Sequence, residues 1–248
     1  MKVAGVIREG LDGLLRLIYP PSCVLCGRRL PPGRRLGLCD SCWLSVELVR
    51  APVCEICGRP LNDDERLGGL CFDCRLNPAP MIIRSAAHYR EPLVSLIYLC
   101  KYEFWPSAAR QPAELLVERA HALFGDWRPD VVVPVPLHPR RLRWRGFNQS
   151  ELLARPLAEL WDVPLLKGLL RTRDTIPQVR LPDEARRENL RDAFAVGDTA
   201  SAIEGKRVLL VDDVTTTGAT LIEGARALLA AGASETAAYV VARPAGNR

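Results

Sequence analysis

The residues with the most recognisable chemistry lie near the end of the sequence, where two adjacent carboxylates meet a turn rich in threonine. Asp212 and Asp213 follow the apolar run 208–211, and residues 215–220 then combine four threonines with a glycine. N–H groups and hydroxyls at the start of a helix bind phosphate, and paired acids accept hydrogen bonds from vicinal sugar hydroxyls. This pattern predicts a ribose 5-phosphate ligand held by Asp212, Asp213, Thr215, Thr216, Thr217, Gly218, Ala219 and Thr220.

A purely structural explanation of this segment is a helix cap followed by a threonine turn. Against that alternative, two adjacent carboxylates at the end of an apolar strand repel each other unless a ligand or a cation uses them. The ligand-binding interpretation is therefore favoured.

Two clusters of arginine suit an anionic ligand. Arg140, Arg141, Arg143 and Arg145 fall within six residues, and a second, Pro-containing segment at 171–191 carries further arginines. The chain has 34 basic and 29 acidic side chains, so its net charge of +5 is small and does not by itself indicate nucleic acid. The clustering, and not the total, predicts anion binding.

Eight of the nine cysteines form four C-x-x-C pairs, which recur as a repeat with spacers of 12 and 13 residues. Two such pairs supply the closed tetrahedron of thiolates that structural zinc prefers, so we expect two zinc ions. Consecutive pairing is the simpler arrangement, interleaved pairing stays open, and an iron–sulfur cluster is the main rival. The predicted ligands are Cys23, Cys26, Cys39, Cys42, Cys54, Cys57, Cys71 and Cys74.

The elements that position these residues follow an α/β pattern. Strands are predicted at 81–89, 130–135, 207–211 and 236–242, with helices over most of 93–124 and at 150–160 and 219–230. A further strand is considered at 163–170, and a long loop at 171–191. The predicted fold is α/β, a mainly parallel sheet with helices on both faces and ligands at the carboxyl ends of its strands, preceded by a small Cys-rich module.

Composition divides the chain into three parts. Residues 1–19 form an amphipathic pattern that favours a helix docking on the protein itself, 20–79 hold the cysteine repeat, and 80–248 the α/β domain. Charged residues interrupt the N-terminal segment, so a secretory signal is not expected, and no stretch is long and apolar enough for a membrane span. We expect a cytoplasmic protein whose thiols stay reduced.

The combination of motifs resembles one known family. The 208–220 segment is similar to the phosphoribosyl-pyrophosphate (PRPP) motif of type I phosphoribosyltransferases, and 134–150, 175–194 and the cysteine pairs extend the resemblance to the ComF family of competence-associated proteins. This resemblance implies a PRPP ligand with Mg²⁺, a pyrophosphate loop at 135–141, a mobile hood at 171–191 and a 5-phosphate loop at 215–220. Because pyrophosphate leaves as an anion, Arg140, Arg141 and Arg145 are the predicted catalytic residues.

Three functions remain open at this point: a phosphoribosyltransferase of unknown acceptor, a PRPP-binding sensor or adaptor, and a factor that handles single-stranded DNA. The ComF resemblance implies DNA uptake in natural transformation as the setting. It also implies single-stranded DNA and DNA-uptake or recombination proteins as partners. Whether Lys101 touches the ligand is not decided by the sequence. For His138, a role in positioning the loop is favoured over a role as a base.

Overall fold

The structure is a computed structural model that describes residues 20–173 and 192–245. The predicted helix at 1–19 and most of the predicted loop at 171–191 lie outside the described residues. The strands are Ile82–His88 (β1), Val131–Pro134 (β2), Leu169–Arg171 (β3), Phe194–Val196 (β4), Arg207–Val214 (β5) and Glu235–Arg243 (β6). The helices are Asp40–Trp43 (α1), Asp63–Arg66 (α2), Phe72–Leu76 (α3), Leu93–Tyr102 (α4), Arg110–Phe124 (α5), Pro139–Arg145 (α6), Gln149–Trp161 (α7) and Ala219–Ala230 (α8).

The central sheet has the strand order β1-β6-β5-β2, and every neighbouring pair in it is parallel. Alternate residues of the buried strands pack on opposite faces: Leu209 and Val211 lie in one core, Val208 and Leu210 in the other. Leucines of α5 and α7 complete the first core, and leucines of α8 complete the second. The predicted α/β fold, with a mainly parallel sheet and helices on both faces, is confirmed.

The structure differs from the sequence prediction in two places beside the predicted ligand site. The strand considered at 163–170 is one parallel bridge, between Val132 and Leu165, followed by β3, which pairs antiparallel with β4. Part of the predicted pyrophosphate loop is helical, because α6 begins at Pro139 and ends before Gly146. Proline at the first helical position and a left-handed glycine after the last one account for this short helix.

The cysteine-rich module covers the edge of the sheet at β1. Ile83 donates its N–H to the carbonyl of Ile56 (2.7 Å), His88 donates to the carbonyl of Glu47 (2.8 Å), and the carbonyl of Ala86 accepts from Val49 (3.1 Å). An uncovered edge strand presents unpaired backbone groups to other chains. The module therefore supplies hydrogen-bond partners to three backbone groups of β1 as well as folding itself.

The first cysteine repeat also docks on α5 through one buried glutamine. The side chain of Gln111 accepts a hydrogen bond from the N–H of Leu38 (2.7 Å) and donates one to its carbonyl (3.2 Å). Leu38 is fully buried and joins the core that lies under α5 and α7. The two predicted parts of the chain thus share a core.

Within the described ranges, 20–173 and 192–245, no helix has both the length and the apolar character that a membrane crossing requires.

Candidate functional site

The two adjacent carboxylates and the threonine turn lie where predicted, at the carboxyl end of the central strand β5. Residues 215–218 connect β5 to α8, and Gly218 precedes the first helical residue with φ +80°. A side chain at Gly218 would be strained at this positive φ and would press on Ile83, so glycine suits the turn. The N–H groups that begin α8 consequently lie just beyond the acids.

Asp212 is held by two hydrogen bonds. Its Oδ1 accepts from the hydroxyl of Ser150 at the start of α7 (2.8 Å) and from the N–H of Asp213 (2.9 Å). Burial and, after it, repulsion by Asp213 raise the pKa of Asp212 to about 6. This carboxylate therefore changes its charge within a range of pH that is easily reached in solution.

Asp213 forms a buried ion pair with Lys101. The Lys101 Nζ lies 2.8 Å from Oδ1 of Asp213, whose side chain is only 7% exposed. Burial alone would lower the pKa of Lys101, but Asp213 and then Asp212 outweigh burial and raise it. Oδ2 of Asp213 is buried and has no hydrogen-bond partner in the described part of the chain.

Lys101 and Ser150 are site residues that the sequence did not assign to the acids. Lys101 is in the last turn of α4, and Ser150 lies in the first turn of α7. Only the fold brings these helix ends to the end of β5. The sequence signal for Lys101 was a lysine next to a tyrosine at the end of a predicted helix. This pattern does not identify Asp213 as the partner of the lysine.

The structure brings only part of the arginine cluster to the acids. Arg141 and Arg145 line the same cavity as Asp212 and Asp213, whereas Arg140 is exposed and does not line it. Arg145 donates to the side chain of Gln149, and burial lowers the pKa of Arg145 although Asp213 opposes that shift.

His138 caps α6. Its Nδ1 accepts a hydrogen bond from the N–H of Arg140 at 3.4 Å, which matches the positional role favoured over a base.

A cavity of about 390 Å³ joins these groups. Thr216 and Thr220 line it, whereas Thr215, Thr217, Gly218 and Ala219 are not among its lining residues. Thr215 is buried and donates its N–H to the carbonyl of Ala242 (3.1 Å), so it holds the turn against β6. The remaining wall is made of Tyr89, Ile97, Tyr98, Lys101, Tyr102, Val135, Pro136, Leu137, Gln149, Ser150, Arg171, Val214 and Pro244.

Exposed aromatic rings lie beside this cavity. Trp144 of α6 is 62% exposed and meets Phe104 edge to face, with ring centroids 4.6 Å apart. Tyr98 and Tyr102, which line the cavity, have centroids 5.2 Å apart. Phe147 instead packs against the core. Together these rings place flat apolar surface next to the arginines of α6.

The eight paired cysteines form two separate clusters. Within each cluster the four sulfur atoms lie within 4.8 Å of one another, and the Sγ–Sγ distance is 3.7 Å between Cys26 and Cys39 and 3.6 Å between Cys57 and Cys71. A zinc tetrathiolate with bonds of about 2.3 Å has edges of about 3.8 Å, so both clusters fit the metal. The clusters are Cys23, Cys26, Cys39, Cys42 and Cys54, Cys57, Cys71, Cys74, which is the consecutive pairing.

Comparison with known protein families agrees with this architecture. Residues 14–75 match the double zinc ribbon domain, and residues 171–248 match the phosphoribosyl transferase domain. The molecule is therefore a double zinc ribbon joined to a phosphoribosyltransferase-like domain.

Named relatives then define the family. The chain is 34% identical over 235 residues to DNA utilization protein YhgH of Escherichia coli (strain K12), covering 92% of this chain and 99% of the relative. It is 37% identical over 165 residues to Competence protein F of Haemophilus influenzae, covering 63% of this chain and 70% of the relative. The chain belongs to the ComF family, which these relatives represent.

Among solved structures, the glutamine PRPP amidotransferase from B. subtilis is 26% identical and covers 54% of this chain and 26% of its own, with a TM-score of 0.37. Adenine phosphoribosyl transferase from Trypanosoma brucei is 15% identical and covers 59% of this chain and 68% of its own, also with a TM-score of 0.37. Likenesses at this level carry no argument about function. The fold class rests on the parallel sheet and on the domain match.

Proposed function

We propose that the cavity at the end of β5 binds PRPP or a related ribose 5-phosphate ligand. One observation carries this proposal: two acids and the first turn of α8 border one cavity of about 390 Å³, which Arg141 and Arg145 also line. Acceptors for a diol, donors for a phosphate and cations for a second anion thus border one space. PRPP carries these three groups in a single molecule.

Each part of the ligand has a suitable partner. The 5-phosphate is assigned to the 215–220 turn, where Thr216 and Thr220 line the cavity and the positive end of the helix dipole lies behind them. The ribose hydroxyls are assigned to Asp212 and Asp213. The pyrophosphate is assigned to Arg141 and Arg145. Arg140 does not line the cavity, so we assign it only a secondary contact with this group.

Magnesium would enter this site as part of the ligand, bound to the pyrophosphate and hydroxyl oxygens of PRPP. Carboxylate oxygens are the protein ligands that Mg²⁺ prefers, so the charge of the site is suitable. Oδ1 of Asp213 is already paired with Lys101. We therefore propose that the protein supports the binding of magnesium PRPP through hydrogen bonds and through the overall charge of the site.

Such a site also suits phosphoribosyl transfer. An acceptor would attack C1 of the ribose, the C1–oxygen bond to pyrophosphate would break, and the acceptor would lose one proton. The protein would stabilise the leaving pyrophosphate with Arg141 and Arg145 and exclude water. A PRPP sensor would use the same contacts without transfer. Release of pyrophosphate on addition of a candidate acceptor distinguishes the two.

Binding of single-stranded DNA is the second candidate function. The exposed pair of Trp144 and Phe104 beside Arg141 and Arg143 favours it, since bases stack on aromatic rings while arginines meet the phosphates. The names Competence protein F and DNA utilization protein YhgH associate relatives with DNA. We propose DNA uptake or use as the setting in which this chain works.

Titration calorimetry with magnesium PRPP, and then with a single-stranded oligonucleotide, tests both candidates on the same variants. Asp212→Asn should weaken PRPP binding and leave the oligonucleotide unaffected. Arg141→Ala should cost about 1.5 to 3 kcal/mol of PRPP binding, as charged hydrogen bonds do. Trp144→Ala should weaken only the oligonucleotide.

Unchanged PRPP affinity in Asp212→Asn and Arg141→Ala would remove the phosphoribosyl assignment. If Arg141→Ala lost only DNA binding, the arginines would belong to a strand-binding surface. If it lost both, the two ligands would share one groove.

A further inference from the structure

The two cysteine clusters differ in how open their sulfur atoms are to solvent. In the first cluster Cys26 is exposed and Cys42 is partly exposed, whereas in the second cluster only Cys57 is partly exposed and the other three cysteines are buried. A solute that reacts with sulfur therefore reaches the first cluster more easily. The first cluster is Cys23, Cys26, Cys39 and Cys42, and the second is Cys54, Cys57, Cys71 and Cys74.

Two arginines from the central sheet contact the turn 54–57, which carries two ligands of the second cluster. Arg84 of β1 donates to the carbonyl of Glu55 (2.9 Å), and Arg243 at the end of β6 donates to the carbonyl of Cys57 (2.6 Å). Burial lowers the pKa of both arginines, and the thiolates of the second cluster oppose these shifts. The sheet thus supplies two cations at the border of the second cluster.

The corresponding turn of the first cluster, residues 23–26, is contacted from within its own ribbon. The N–H of Val24 donates to the carbonyl of Gly37 (3.0 Å). Arg34 is a nearby cation, but it pairs with Asp40, which is next in sequence to a metal ligand, at 3.3 Å. An acid therefore offsets the charge of this arginine, and these contacts do not come from the sheet.

Zinc coordination decides what a neighbouring arginine does to a cysteine. Four thiolates around one Zn²⁺ leave two excess negative charges, which keep the sulfur atoms nucleophilic. A cation beside a free cysteine makes it more reactive by forming more thiolate, but in a zinc site all four sulfur atoms are thiolates already. The cation then only withdraws charge from them and lowers their nucleophilicity. Exposure and charge therefore both make the first cluster the more reactive one.

We propose that the first zinc site is a reversible oxidation site for hydrogen peroxide, while the second is a structural site that resists it. The thiolate of Cys26 attacks one peroxide oxygen and the O–O bond breaks, which gives a sulfenic acid and a hydroxide that takes up a proton. Cys39, whose sulfur lies 3.7 Å from that of Cys26, then attacks the Cys26 sulfur and displaces a second hydroxide, which is also protonated. The products are one disulfide and two waters, and Zn²⁺ leaves because it has lost two of its ligands.

Loss of this zinc ion would loosen the docking of the first ribbon on α5. Leu38, which donates its N–H to Gln111 (2.7 Å), directly precedes the metal ligand Cys39, so its position depends on the metal. The second ribbon pairs with β1 through Ile83 and Ile56 and keeps both its zinc and its place. A dithiol reductant would reduce the disulfide and let the first site bind Zn²⁺ again. The proposal does not depend on the assignment of PRPP to the cavity.

Hydrogen peroxide added to the full-length, zinc-loaded protein tests the proposal, with a chromogenic chelator reporting the released metal. One zinc ion per chain should leave first, roughly tenfold faster than the other or more. At that stage, alkylation and mass spectrometry should find the thiols of Cys26 and Cys39 lost and those of the second cluster intact. The amide of Leu38 should exchange with deuterium faster than before oxidation. Dithiothreitol with Zn²⁺ should reverse both changes.

Arg84→Met removes one cation from the border of the second cluster and should release the second zinc ion several-fold faster than the parent. The matched control is Arg66→Met, at an arginine of the same ribbon that is 56% exposed and paired with Asp63, and it should behave as the parent does. Release of both ions at one rate, or loss of thiols first in the second cluster, would overturn the proposal, as would equal effects of the two substitutions. If Arg84→Met fails to fold, the order of release in the parent still decides.

Discussion

Replacing Lys101 by methionine tests how the paired acids are held. Methionine keeps the length and apolar stem of lysine and removes its charge, so Asp213 stays buried without its partner. Removing one member of a buried ion pair costs about 3 to 5 kcal/mol. Because the Lys101 side chain is 22% exposed, we expect the lower end, about 3 kcal/mol at neutral pH. For a chain of 248 residues this lowers Tm by roughly 6 to 12 °C.

The matched control is Lys167→Met. Lys167 forms an ion pair with Glu151 at the same 2.8 Å separation, but its side chain is 66% exposed. Exposed ion pairs contribute about 0 to 1 kcal/mol, so this variant should melt close to the parent protein. Equal losses in the two variants would show that burial of the Lys101–Asp213 pair has no effect on its strength.

The loss in Lys101→Met should also depend on pH. The pKa of Asp212 in the folded protein is raised to about 6, so below that pH Asp212 takes up a proton and stops repelling Asp213. Lys101 holds the pKa of Asp212 down, hence removing it moves this protonation to higher pH. The difference in unfolding free energy between parent and variant, measured with urea, should shrink as pH falls from 8 to 5. A difference that is independent of pH would refute the electrostatic reasoning.

Three further predictions concern the metal, the acids and the turn. Metal analysis of the purified protein should give two zinc ions per chain, and iron with sulfide would contradict the zinc assignment. PRPP affinity should fall as pH drops through about 6, because Asp212 becomes neutral there. In Asp212→Asn, the affinity should change with pH only through the protonation of PRPP itself. If the affinity of parent and variant depended on pH in the same way, Asp212 would not belong to the site. Gly218→Ala should cost about 1 kcal/mol of stability and weaken PRPP binding, because φ is +80° at that position; calorimetry on the variant checks both effects.

The β5–α8 unit could be predicted from the sequence because its signals are local. An apolar run, two acids, a glycine at the turn and a periodic helix follow one another within 23 residues, from Val208 to Ala230. The partners of the acids could not be predicted in this way. Lys101 and Ser150 reach them from helices that are distant in sequence, and the order of strands in the sheet decides which helix ends meet.

The arginine cluster illustrates an intermediate case. Arg140, Arg141 and Arg145 look equivalent in a loop, but in the helix α6 Arg141 and Arg145 are four residues apart and share one face, whereas Arg140 points in a different direction. Pro139 and Gly146 are the sequence signals of that helix, so the separation of Arg140 from the other two could have been foreseen. Which side of α6 faces the cavity follows only from its packing in the fold.

The zinc ribbons illustrate what composition leaves undetermined. Cysteine density marks residues 20–79 as a module, but it does not reveal that the module covers β1 or that Leu38 enters the shared core. These contacts change the expectation for the metal sites. If each zinc ion folded only its own ribbon, loss of either ion would lower the solubility of the protein more than its affinity for PRPP.

The second ribbon is connected to the ligand cavity by a short chain of hydrogen bonds, and this gives a prediction that separates the two zinc sites. Arg243 donates to the carbonyl of the zinc ligand Cys57 (2.6 Å), and the carbonyl of Arg243 accepts from the N–H of Tyr89 (2.6 Å), which lines the cavity. Cys26, by contrast, lies on an exposed knuckle of the first ribbon.

We therefore expect Cys57→Ser to lower PRPP affinity several-fold more than Cys26→Ser, although each variant loses one ligand of one zinc. Zinc content and calorimetric affinity would be measured together on both proteins. Arg243→Met, which leaves all eight cysteines in place, should reproduce the loss of affinity with both zinc ions retained. If Cys57→Ser and Cys26→Ser bound PRPP equally well at equal zinc content, the hydrogen bonds through Arg243 would transmit nothing to the cavity.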